Sequence, residues 1–89
     1  MNRLFMTLPK NIQFTRLIKA GGRLREFNFR KSQGLNNAIF TVDIADDRGD
    51  RHYVIFRLVN GEWILENKKI VPWIEEVLPQ VEEAIRDYR

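Results

Sequence analysis

Hydrophobic and polar residues alternate along the middle of the chain with the period of a β-strand. Ala38, Phe40, Val42 and Ile44 fall on one side, with Ile39, Thr41 and Asp43 on the other, as expected for a strand with one face in a core. Asp46 to Asp50, with Gly49 near its end, suits a type I turn followed by a left-handed bulge residue. This turn sets Ile44 opposite His52, Val42 opposite Val54 and Phe40 opposite Phe56. Asn60-Gly61 is a two-residue hairpin signal that pairs Leu58 with Trp63 and Phe56 with Leu65.

Upstream, Gly21-Gly22 separates two further alternating stretches, Gln13 to Ala20 and Arg23 to Lys31. Pairing Ala20 with Arg23 across that turn sets Ile18 opposite Arg25, Arg16 opposite Phe27 and Phe14 opposite Phe29. Ser32 to Asn37 reads as a loop from its Gly and Asn content. Closing it with Lys31 opposite Ala38 gives one row of Phe14, Phe29, Phe40, Phe56 and Leu65, which gathers four of the six phenylalanines. The prediction is an α+β fold, a curved five-stranded antiparallel β-meander over residues 12–66 packed on a C-terminal helix.

That helix is expected over residues 70–88. Ile70, Trp73, Ile74, Val77, Leu78, Val81, Ala84, Ile85 and Tyr88 recur at three- and four-residue intervals, with Glu75, Glu76, Glu82, Glu83 and Asp87 between them. Pro72 suits a first helical position. Pro79 lacks an N–H and crowds the carbonyl of Glu75, so the helix is kinked or interrupted there. Residues 1–11 have no clear period and form an N-terminal arm whose pattern fits a frayed lead-in, a short turn of helix or a segment lying on the sheet. A chain of 89 residues suits one small domain with a single core.

Composition removes several chemistries. With no cysteine there is no disulfide, thiolate nucleophile or Cys-based metal site. A phosphate-binding glycine loop, a histidine cluster and a nucleophile elbow are also missing. Asp46, Asp47 and Asp50 lack the alternating ligand spacing of an EF-hand. The sequence therefore points to a non-enzymatic protein with no cofactor or metal. No apolar run reaches the roughly 18 residues of a spanning helix, and no signal peptide is evident, so a cytoplasmic location is expected.

Charge separates the ends of the chain. Eight Lys or Arg stand against Glu26 through Lys31, whereas from Pro72 onward five acids stand against Arg86 and Arg89. Two sites follow. On the inward face the register places Ile18, Arg25, Ile44 and His52 in one row and Arg16, Phe27, Val42 and Val54 in the next. Arg16, Arg25 and His52 thereby rim one end of the face as a candidate anion site; the alternative is that the arginines wrap the core and pair with Glu82, Glu83 or Asp87.

On the outward face, Ile39, Tyr53, Ile55, Arg57 and Ile64 form a candidate partner-binding patch, with Arg30, Ile39, Arg57 and Ile64 in one row. A protein-interaction or self-association module is the function these features favour. The alternative is nucleic-acid or anionic-ligand binding by the basic N-terminal hairpin through Arg16, Lys19, Arg23, Arg25, Arg30 and Lys31, with Tyr53 as a stacking platform. No RNP, KH or helix-turn-helix signature accompanies those cations.

Overall fold

A computed structural model describes residues 12–33 and 38–88. The expected arm over residues 1–11 and most of the loop after β2 lie outside them. Five strands, β1 (Ile12–Ala20), β2 (Arg23–Gln33), β3 (Ala38–Ala45), β4 (Arg51–Val59) and β5 (Glu62–Leu65), form one sheet in sequence order, and each neighbouring pair is antiparallel. Two helices follow, α1 (Pro72–Glu75) and α2 (Leu78–Asp87). The α+β meander is thus present, and three of its four registers match the turn chemistry. Asn60 and Gly61 both adopt positive φ, 51° and 83°, the conformation that a twisted two-residue hairpin requires.

The register between β2 and β3 differs from expectation by two residues. Lys31 pairs with Phe40 and Phe29 with Val42, while β2 continues through Ser32 and Gln33 to pair with Ile39 and Ala38. An even shift leaves every side chain on its expected face, so alternation alone does not distinguish the two registers. Packing does. Phe14 and Phe29 stack at 4.6 Å between ring centroids, and Phe40, one row further on, meets Phe14 and Phe29 edge-on at 6.1 and 6.4 Å and Trp63 at 5.1 Å. Staggering the rings makes room for these edge-to-face contacts, which aromatic quadrupoles favour. The five-residue aromatic row is therefore two rows, Phe14–Phe29–Val42–Val54 and Ile12–Lys31–Phe40–Phe56–Leu65.

The helices cover the inward face. Ile74, Val77, Val81, Ala84 and Ile85 are buried with Phe27, Phe29, Phe40, Val42, Ile44, Val54 and Phe56 in one cluster. The interruption expected at Pro79 falls at Glu76 and Val77, and the second helix begins at Leu78 with Pro79 in its first turn. Proline fits there because the first helical N–H groups have no intrahelical acceptor. Val77 accepts the amides of Gln80 and Val81 at 3.0 and 3.1 Å and opens the second helix. Of the described residues, no helix is long and apolar enough to cross a membrane.

Candidate functional sites at the Trp73 end and on the outward face

Trp73 organises the end of the inward face nearest Gly21-Gly22. The Arg25 guanidinium carbon lies 4.5 Å from the Trp73 ring centroid, and the His52 ring meets the same indole edge-on at 5.6 Å. Both residues also engage the β3–β4 turn. Arg25 donates through Nε to the Ala20 carbonyl at 2.7 Å and through a terminal nitrogen to Asp47 at 3.1 Å, where Arg23 donates as well. His52 Nε2 donates to Asp46 Oδ2 at 3.0 Å. Gly21 permits the assembly, since a Cβ there would stand 3.2 Å from the Arg25 guanidinium and 3.4 Å from Trp73 Cβ.

Asp46 holds the turn itself. Its Oδ1 accepts the amides of Arg48 and Asp50, both at 2.9 Å, while its backbone exchanges hydrogen bonds with Asp50 and Gly49. The His52 hydrogen bond, helped by those two amides and opposed by burial, holds the Asp46 carboxyl below its ordinary pKa. Of the expected anion-site residues, Arg25 and His52 come together around Trp73, each already facing a carboxylate. Arg16 stands apart, its guanidinium 5.7 Å from the Phe14 ring centroid.

The β2–β3 register explains the position of Arg25. Its last pair is Asn28 with Asp43, and one further step along the strands sets Phe27, the partner of Arg16, and not Arg25, beside Ile44, the partner of His52. Arg25 is thereby carried toward the Asp46-Asp47 turn. The carboxylate that meets it is Asp47, not Glu82, Glu83 or Asp87 of the helix. Sequence reasoning missed Trp73, Asp46 and Asp47 in this role; an acidic turn and a basic hairpin end at the same margin of a meander were the available signal.

The outward face carries a different arrangement. Thr15 Oγ1 donates to Asn28 Oδ1 at 2.9 Å, Asn28 Nδ2 donates to Asp43 Oδ1 at 3.1 Å, and Arg51 donates to the same oxygen at 2.8 Å. The chain of contacts crosses four strands. Asp43 is buried, and a pair with Arg51 plus a side-chain amide is what a sequestered carboxylate needs. This network lines an open groove of about 590 Å³ together with Gln13, Arg30 and Tyr53. Tyr53, opposite Asp43 in the ladder, is 54% exposed.

All five expected partner-binding residues lie on this face. Ile39, Arg57 and Ile64 share a row, and Ile55 is the neighbour of Thr41. Arg30 leaves the Ile39 row and stands level with Thr41, its place beside Ile39 being taken by Ser32. Ile39 and Ile55 are half-buried, whereas Leu17 and Ile64 are 63% and 43% exposed. Arg57 pairs with Glu66 through two nitrogens at 3.2 and 3.3 Å.

Asn67 finishes the margin of this face. The Ile55 amide donates to Asn67 Oδ1 at 2.8 Å, and Asn67 Nδ2 donates to the Tyr53 carbonyl at 2.9 Å. Its side-chain amide thus continues the ladder after β5 has ended, next to the Glu66 amide on the Ile55 carbonyl. No family model, curated protein or solved structure matches the chain.

Proposed function

We propose that this protein is a small, non-enzymatic interaction module that receives a protein partner on the outward face of its sheet. The observation that carries the reading is the contrast between the faces. Helices close the inward face over its phenylalanines, while the outward face leaves Leu17, Tyr53 and Ile64 exposed and carries a polar groove that Tyr53 lines. Exposed apolar and aromatic side chains beside satisfied polar groups are the usual composition of a protein interface. The first hairpin supports polyanion binding less well, because Arg23 and Arg25 converge on Asp47 and Arg16 lies elsewhere.

Affinity purification from the native cell compares the wild-type chain with Tyr53→Ala/Ile64→Lys. Tyrosine supplies large contact area at interfaces, and lysine replaces the exposed apolar side chain at the β5 end of the Ile39–Arg57–Ile64 row with a charge. A partner recovered by the wild type and lost in the double variant, with circular dichroism unchanged, supports the reading. Equal recovery by both refutes it.

A further inference from the structure

The two margins of the sheet are finished differently. β5 is four residues long, and Glu66 and Asn67 occupy the β4 backbone beyond it. Short edge strands and covered edges are how sheets avoid pairing with another chain. β1 is nine residues long, contains no proline and pairs with β2 without a bulge. Nothing in its own sequence blunts it except charge.

The backbone groups on its free side follow from the turn. A two-residue hairpin makes Ala20–Arg23 a hydrogen-bonded pair, and alternation along an antiparallel ladder turns the N–H and C=O of Gln13, Thr15, Leu17 and Lys19 away from β2. Among the described residues these groups meet no backbone partner. A groove of about 340 Å³ follows this margin, with Arg16 and Lys19 on the strand side and Glu83 and Asp87 of α2 on the helix side. No ion pair joins those cations to those acids among the described residues.

We propose that this margin is the interface of a two-fold homodimer in which β1 pairs antiparallel with β1 of a second copy. A two-fold interface must be complementary to itself, and this one carries cations on its strand and acids on its helix. Antiparallel pairing lays Arg16 of each copy along Glu83 and Asp87 of the other. A dyad at Thr15 or Leu17 sets backbone donors against acceptors and keeps the two Arg16 side chains apart, whereas a dyad at Arg16 would set them face to face. With the dyad at either residue, seven of the nine β1 residues overlap, which gives about 24 Å of pairing. The proposal rests on the free backbone margin of β1 and the α2 acids, not on Tyr53 or Ile64, so the two readings can be tested separately.

Sedimentation velocity on the full chain across concentration tests it. The wild type is expected to pass from monomer to dimer. Leu17→Pro removes an N–H that faces the free margin, so the β1–β2 ladder keeps its bonds while the ring blocks an added strand; dimer affinity should fall at least tenfold. If that variant does not fold, Arg16→Glu should weaken the dimer, and adding Glu83→Arg and Asp87→Arg to it should restore association. Tyr53→Ala/Ile64→Lys should leave the dimer intact. A wild type that stays monomeric overturns the proposal, as does a dimer indifferent to Leu17→Pro and the charge reversals. A chain that dimerises only after residues 1–11 are removed overturns it too, because the margin would then belong to the chain's own N-terminus.

Discussion

Asn67→Ala removes two hydrogen bonds that hold the exposed end of β4 and changes no packed apolar group. The Asn67 oxygen lies 2.8 Å from the Ile55 nitrogen, and its amide nitrogen 2.9 Å from the Tyr53 oxygen. Both bonds have good geometry, and each contributes about 0.5–1.5 kcal/mol net. The Ile55 amide is partly buried and loses its partner, whereas the Tyr53 carbonyl lies nearer solvent and recovers part of its loss from water. The sum is a destabilisation of about 1–2 kcal/mol. For a domain of this size that corresponds to a fall in Tm on the order of 5–10 °C. Urea unfolding measures the total, and amide hydrogen exchange locates it: protection should be lost at Ile55 and kept at Val54 and Phe56, whose positions lie in the core cluster. Asn67→Asp retains the acceptor for Ile55 and loses the donor to Tyr53, so Ile55 protection should be intermediate. A stability change below about 0.5 kcal/mol, the range of ordinary surface substitutions, with Ile55 still protected, would refute the assignment of Asn67 as a continuation of the ladder.

Acid titration should reveal the Asp46 turn. Its carboxyl binds a proton less readily in the folded chain than in the unfolded one, principally because of the His52 hydrogen bond. Its stabilising contribution is therefore complete above the unfolded value of about 3.9 and is lost as pH falls through the lower folded value. Asp46→Asn should flatten stability against pH below about pH 4; an unchanged acid limb would contradict the assignment. The β2–β3 register can be tested covalently, because the chain has no native cysteine. Arg30→Cys/Thr41→Cys joins cross-strand neighbours and should oxidise to an intramolecular disulfide faster than Arg30→Cys/Ile39→Cys, the pair demanded by the other register; the reverse order would restore Phe29 opposite Phe40.

Much of the candidate chemistry was legible from parity. Ile39, Tyr53, Ile55, Arg57 and Ile64 were assigned to one face by period-two alternation, and the structure places all of them there. Arg25 and His52 were assigned to the same end of the opposite face, where they meet Trp73. Arg16 did not join them, and Asp46, Asp47 and Asn67 were not singled out for the contacts they make. The reason is that Asp46, Asp47 and Asn67 lie outside the strands, where no period constrains a side chain and its partner is chosen by whatever the folded chain brings near.

The sequence by itself determined the strands, the face of each side chain, the registers across the three tight turns and the break before Pro79. These depend on local geometry: a two-residue turn fixes which residues pair, and proline forbids a specific hydrogen bond. Only the tertiary structure decided the β2–β3 register, because a two-residue slip preserves every face and the choice lies with the edge-to-face packing of Phe40 on Phe14, Phe29 and Trp63. The same slip carried Arg25 from Ile44 toward Asp47, so the electrostatics of the Trp73 end were set by how phenylalanine rings pack some distance away.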